Sequence, residues 1–221
     1  MEELRHIQRN VRNKIVPRDA YKKPIKRVGG IDLAFLDDTA VVACVIVDYG
    51  SLEVQSERCL VTRLDFPYVP SFLCFREGPP ILEMIGAMES QPEVYLINAH
   101  GVAHPIGCGC ASYVGVLANV PTIGVASRNL CGEQRFEPIR VGEYVPVIHN
   151  ERIVGWVLKT REECRPVFVS PWHCVTLRSS LDIVLTCSET NKLPKPLSSA
   201  HTLANEVKKI VLRNMRGHDD P

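Results

Sequence analysis

Val28-Gly29-Gly30-Ile31-Asp32-Leu33-Ala34-Phe35 places one carboxylate inside an otherwise apolar run of β-forming residues. Side chains alternate faces along a strand, so Ile31, Leu33 and Phe35 share one side and Asp32 and Ala34 the other. An ionised carboxylate on a largely buried strand is costly unless a metal, a cation or several donors compensate it. An edge strand with Asp32 facing water would satisfy the same residues. The later segments decide between the two.

Two more β-type runs, 40–48 and 52–64, follow across turns at Asp37-Asp38 and Tyr49-Gly50. That spacing predicts an antiparallel meander. An amphipathic helix over about 1–20 precedes it, through Leu4, Ile7, Val11 and Ile15, stopped near Pro17. After Pro70 a helix carries Phe72, Phe75, Ile81, Ile85 and Met88, with Gly78-Pro79-Pro80 expected to kink or interrupt it. Strands at 94–98 and 122–126 flank a small-residue helix at 109–119. Residues 128–150 read as looser, and strands at 153–159 and 167–170 and helices at 176–188 and 198–213 close the chain. This order gives an α/β class: three antiparallel strands, then parallel strands, in a mixed sheet with helices on both faces. One domain spans 1–221, with its core in 28–213.

No apolar run approaches a membrane span, and Met1-Glu2-Glu3 does not open a secretory signal. The nine cysteines lack Cys-x-x-Cys spacing, and Cys44, Cys74 and Cys187 sit in apolar runs. Reduced core thiols of this kind point to the cytoplasm. A net charge of +1 does not by itself mark a nucleic-acid binder, yet residues 1–27 hold nine Lys/Arg against three Asp/Glu. Such an arm suits a phosphate backbone, or is an ordinary solvated helix face.

Three other constellations carry possible chemistry. Pro67 and Pro70 bracket Tyr68 and Val69, stiffening a loop whose ring either wedges into a base stack or packs on the core. Glu77 lies one helical turn after Leu73, as an inward carboxylate or a solvated one. Asn98 closes the 94–98 strand, where parallel sheets present ligands, and Ala99-His100-Gly101 leaves room for a backbone or a base. His100, His104, Cys108 and Cys110 match no standard zinc spacing. His201 is placed in the first turn of the last helix, as a ligand, a phosphate or water contact, or a surface histidine.

From about residue 3 to 212 the chain resembles the endonuclease V family, inosine-directed repair nucleases of ribonuclease-H-like fold. The resemblance rests on Gly30-Ile31-Asp32-Leu33-Ala34-Phe35, Pro67-Tyr68-Val69-Pro70 through Phe75-Arg76-Glu77, and His104-Pro105. Ala111-Ser112-Tyr113-Val114-Gly115-Val116-Leu117 and Pro121-Thr122-Ile123-Gly124-Val125-Ala126 extend it in the right order. It implies Mg²⁺-dependent hydrolysis (Mn²⁺ being the other candidate ion) of a phosphodiester 3′ to a deaminated purine in DNA or RNA. It makes Asp32 a metal ligand, Glu77 a second acidic group and Tyr68 the wedge, and puts His201 where the family carries an active-site histidine or aspartate. Pro67, Pro70, Gly101 and His104 join Tyr68 as the expected nucleic-acid contacts.

Several positions depart from the family pattern. Asn98 stands where a metal-binding aspartate is expected, offering an oxygen but no charge. Ser127 replaces a lysine, Trp172 a glycine, Leu197-Ser198 a Thr-Arg pair and Lys195 a glutamate. Three readings follow: a nuclease with an altered metal shell, a relative that binds inosine-containing nucleic acid without efficient cleavage, and a module for protein contacts. A monomer is the default.

Overall fold

The computed structural model describes residues 1–171, 173–188 and 191–216. Strands β1 (Arg27–Leu36), β2 (Thr39–Asp48) and β3 (Val54–Arg63) form the expected antiparallel meander. On its other side β1 pairs in parallel with β4 (Val94–Ile97), so it lies inside the sheet. The solvent-facing edge reading of Asp32 therefore falls.

β4 pairs in parallel with β5 (Thr122–Ala126). Beyond β5 come β6 (Tyr144–His149), β7 (Arg152–Leu158) and β8 (Val167–Pro171), and the sheet order is β3-β2-β1-β4-β5-β8-β7-β6. Parallel pairing is confined to β1, β4 and β5, because the last three strands pair antiparallel. For β6 and β7 the reason is local: Asn150 (φ 48°) and Glu151 (φ 62°) make the two-residue left-handed turn that closes a tight hairpin.

Helices cover both faces. α1 (Glu2–Arg12), α2 (Leu73–Ala87) and α3 (Cys110–Ala118) lie on one side, α4 (Leu177–Thr186) and α5 (Lys195–Arg216) on the other. The alternation of β1 divides the core accordingly: Val28 and Ala34 pack with Leu197, Ala200 and Leu181, while Ile31 packs with Ile81, Met84 and Val114. Such two-sided burial is why β2 is apolar at every position from Ala40 to Val47. No helix among the described residues is long and apolar enough to cross a membrane.

Four boundaries differ from expectation. α1 ends at Arg12 rather than running toward Pro17, since only Gln8 and Val11 find buried positions. α2 is not interrupted at Pro79 and Pro80. Burial of Ile81, Met84 and Ile85 holds the turns that follow the prolines and outweighs two lost backbone bonds. β6 lies within the supposedly loose 128–150, with Val145 and Val147 buried and Pro146 tolerated because the strand is at the sheet edge. Finally, α5 begins at Lys195, so His201 falls in its second turn rather than its first.

Candidate nucleic-acid and metal site

The parallel register pairs Ile31 with Ile97, which sets Asp32, midway along β1, beside Asn98 at the end of β4. Asn98 Nδ2 donates to Asp32 Oδ1 at 2.9 Å, and the Leu33 N–H donates to the same oxygen at 2.9 Å. Asp32 is 4% exposed, so these donors replace water for a carboxylate that would otherwise be stranded.

The third donor arrives from α5. A Cβ on Gly30 would stand 2.2 Å from the Pro196 carbonyl carbon, so only glycine lets the start of α5 lie against β1. Two residues along the strand and one and a quarter turns along the helix are each about 7 Å. That match carries His201 from the Gly30 crossing to Asp32, where Nδ1 donates to Oδ2 at 2.7 Å. Asn205 Nδ2 stands 3.3 Å from His201 Nε2, which assigns the ring proton to Nδ1.

Glu77, on α2, is 8% exposed and its carboxyl is pushed up to about 7. Burial is the larger cause, the negative charge of Asp32 the second, and Arg76 opposes them weakly. Two buried carboxylates thus repel one another.

The loop before α2 presents Tyr68 at 68% exposure, with Pro67 and Pro70 also exposed beside it. Its base is anchored rather than mobile: Arg76 Nη1 donates to the Phe66 carbonyl at 2.6 Å, and Phe72, at the loop's end, is buried. Ser71 (φ 67°) turns the chain so that its carbonyl faces inward, accepting from His104 Nε2 and Gln8 Nε2, both at 3.0 Å. Behind Tyr68 opens a cavity of about 270 Å³ walled by Leu73, Cys74, His100, Cys110, Ala126 and Leu130. Asn98 also borders it, and on its other side borders an open cleft of about 720 Å³ with Ser127, Lys192, Lys195, Ser198 and His201.

Two of the expected contacts are engaged within the protein. Gly101 is packed against β8, its N–H donating to Ser170 Oγ at 2.7 Å and its carbonyl accepting from the Gly109 N–H. His104 is 3% exposed with both ring nitrogens engaged, Nδ1 accepting from the Ile106 N–H at 3.2 Å. Burial holds it down at about 4. It braces the Tyr68 loop from beneath. His100 Nε2 bonds the Arg128 carbonyl at 2.8 Å, and among the described residues no three His, Cys, Asp or Glu side chains converge to hold a metal by themselves. Leu197 is buried in the core, so of that pair only Ser198 faces the cleft. Trp172 lies outside the described residues. Gln8 was missed entirely, since a lone polar residue on the buried stripe of α1 gives no signal until the loops it joins are in place.

The family model described as Endonuclease V matches residues 9–202. The chain belongs to the endonuclease V family. Endonuclease V of Roseiflexus sp. (strain RS-1) is 37% identical over 205 residues, covering 93% of this chain and 92% of that protein. The crystal structure of endonuclease V from Streptomyces avermitilis superposes with a TM-score of 0.88 at 32% identity, covering 96% of this chain and 94% of that one. Endonuclease V of Ciona intestinalis, in complex with a 24mer DNA containing an inosine followed by a ribo-adenosine, gives 0.83 at 26% identity, covering 95% and 98%. The ribonuclease-H-like architecture read from the sequence is thus the family's own.

Proposed function

We propose that this chain is a divalent-metal-dependent endonuclease that hydrolyses the phosphodiester 3′ to inosine, or another deaminated purine, in DNA or RNA. The observation that carries the reading is the position of Asn98, between a base-sized cavity behind an exposed aromatic and a lysine-bearing cleft beside a buried carboxylate. The DNA bound by the Ciona protein contains an inosine, which supports the choice of substrate.

Each group has a task in that reading. Tyr68 inserts where the target nucleotide leaves the stack, and its anchored loop keeps the ring in place. The extruded base enters the cavity, whose size lies just below the roughly 300–1,000 Å³ of drug-sized sites. Lys192 and Lys195 hold the strand in the cleft by its phosphates. Glu77 exchanges a proton near neutral pH, which suits a group that takes one from the attacking water or gives one to the leaving 3′ oxygen. His201 fixes Asp32 in orientation.

The donor set fits Mg²⁺. Asp32 and the Asn98 amide oxygen are hard ligands, and two buried carboxylates leave negative charge for a dication to balance. A closed protein cage is not required, because Mg²⁺ usually keeps waters and takes one or two carboxylates plus substrate phosphate. When bound it acidifies water and neutralises charge on the leaving oxygen. Mn²⁺ accepts the same oxygen set. We further place the protein in the cytoplasm, where its buried thiols stay reduced.

The test is incubation with single-stranded DNA and RNA bearing one inosine, with Mg²⁺ or Mn²⁺. Cleavage is expected 3′ to the inosine, and Asp32→Ala should lower the rate by about two orders of magnitude, or about 3 kcal/mol of barrier. Tight binding without any cleavage would replace this reading with a binding protein. Neither binding nor cleavage would end both.

A further inference from the structure

A separate hollow of about 560 Å³ opens between the end of α1, the turn after β4, the tip of the β6–β7 hairpin and the start of α4. His104 is the one residue it shares with the cavity behind Tyr68, and it shares none with the cleft beside Asp32. Val102, Ile106, Val154, Val175 and Leu177 give it apolar walls, and no Asp or Glu borders it. Two arginines do: Arg12 from α1 and Arg152 from β7. Arg12 is laid across Gly107 (φ 71°), its Nε 3.1 Å from where a Cβ on that residue would stand. Neither guanidinium takes part in an ion pair among the described residues. The Thr176-Leu177 entry of α4 reaches the same wall and adds the positive end of a ten-residue helix. Positive groups from three elements thus converge without a counter-charge, an arrangement that a bound anion relieves.

The walls indicate what that anion carries. Inorganic phosphate would leave most of the hollow and its apolar side unused, whereas the volume falls within the roughly 300–1,000 Å³ of small-molecule sites. An acyl chain would set hydrocarbon against the His149 ring and the Asn150 amide, which also border the hollow. A nucleobase offers apolar faces to the valines and edge donors and acceptors to those two side chains. We propose that this hollow binds a free nucleoside 5′-monophosphate, its phosphate between Arg12 and Arg152 and its base between the apolar wall and the hairpin residues His149 and Asn150. Arginine suits the phosphate because its planar fork pairs two oxygens at once. The site stands apart from the inosine-directed reading and takes no part in the cleavage proposed above.

Titration calorimetry of the full chain in EDTA with 5′-UMP, uridine, inorganic phosphate and octanoate tests the assignment. The pyrimidine nucleotide is used because it is not the purine that the cavity behind Tyr68 is proposed to take. 5′-UMP should bind about tenfold or more tighter than each of the other three. Arg152→Gln and Arg12→Gln, both at exposed positions that tolerate substitution, should each weaken 5′-UMP by about tenfold. Arg152→Gln should leave affinity for the inosine oligonucleotide unchanged, and saturating that oligonucleotide should leave 5′-UMP binding in place. Octanoate or phosphate binding as tightly as 5′-UMP overturns the assignment, as does 5′-UMP affinity undiminished in both variants. Displacement of 5′-UMP by the inosine oligonucleotide, or an equal loss of both ligands in Arg152→Gln, overturns it as well. If the protein neither binds nor cuts the inosine oligonucleotide, the function proposed above fails while the titrations with the four small ligands still decide this one.

Discussion

Asn98 does two things at once, and they can be separated. Its amide nitrogen hydrogen-bonds Asp32, and in the proposed reading its oxygen is the ligand that a dication would share with Asp32. Asn98→Asp removes the donor and adds a charge, setting two carboxylates side by side. In EDTA the variant should therefore lose about 1 kcal/mol or more of stability, read as a lower Tm. Added Mg²⁺ should reverse that loss and raise the cleavage rate about tenfold or more. A rate unchanged by the substitution would contradict the charge argument. Glu77 gives a second prediction. Its folded value of about 7 exceeds the ordinary 4.5, so the native state holds the proton more tightly than the unfolded chain. Stability is then fully present below about 4.5 and falls as pH rises through 7, by about 3 kcal/mol at most. Chemical denaturation in EDTA at pH 5 and pH 8 should show that fall, and Glu77→Gln should remove it.

Among the elements, the crossing of α5 over β1 determines whether a site exists at all. The contact that permits it is Gly30 against the Pro196 backbone. Gly30→Ala forces backbone against Cβ rather than a flexible side chain, so an overpacking cost of about 1–3 kcal/mol is expected. Because the shift also moves His201 away from Asp32, activity should fall further than stability alone explains, which parallel denaturation and cleavage assays would show. The Tyr68 loop behaves differently. Its side chain lies in solvent while Arg76 and His104 hold the backbone below it. Tyr68→Ala should leave the unfolding free energy within about 0.5 kcal/mol of wild type and weaken binding to the inosine oligonucleotide by about tenfold. The strands and helices on which both features stand were largely legible from β-type runs and 3.6-residue periodicity. β6 escaped because Pro146 disguises an edge strand, and the start of α5 because Lys195-Pro196 reads as a turn rather than a first helical turn.

For the whole molecule, a net charge of +1 implies that attraction to nucleic acid is local. The cleft presents Lys192 and Lys195, and two phosphate contacts on a single strand give a salt slope near −1.4. Affinity should thus drop about sevenfold between 50 and 200 mM salt, measured by anisotropy. A much steeper slope would enlist the basic residues of 1–27, whose helix is otherwise seen supporting the cavity from behind through Gln8.

The sequence alone determined the sheet class, the family, and the candidate chemistry of Asp32, Glu77, Tyr68 and Asn98, because alternation, turn residues and short motifs are properties of neighbours along the chain. It could not show that Gly101 and His104 spend hydrogen bonds inside the protein, and it was silent on Gln8. Those outcomes depend on which groups residues far apart in the chain present to one another. Only the folded packing of α1, α5 and the Tyr68 loop around the middle of β1 and the end of β4 decides that, since a buried polar atom takes its role from the partner it finds or lacks.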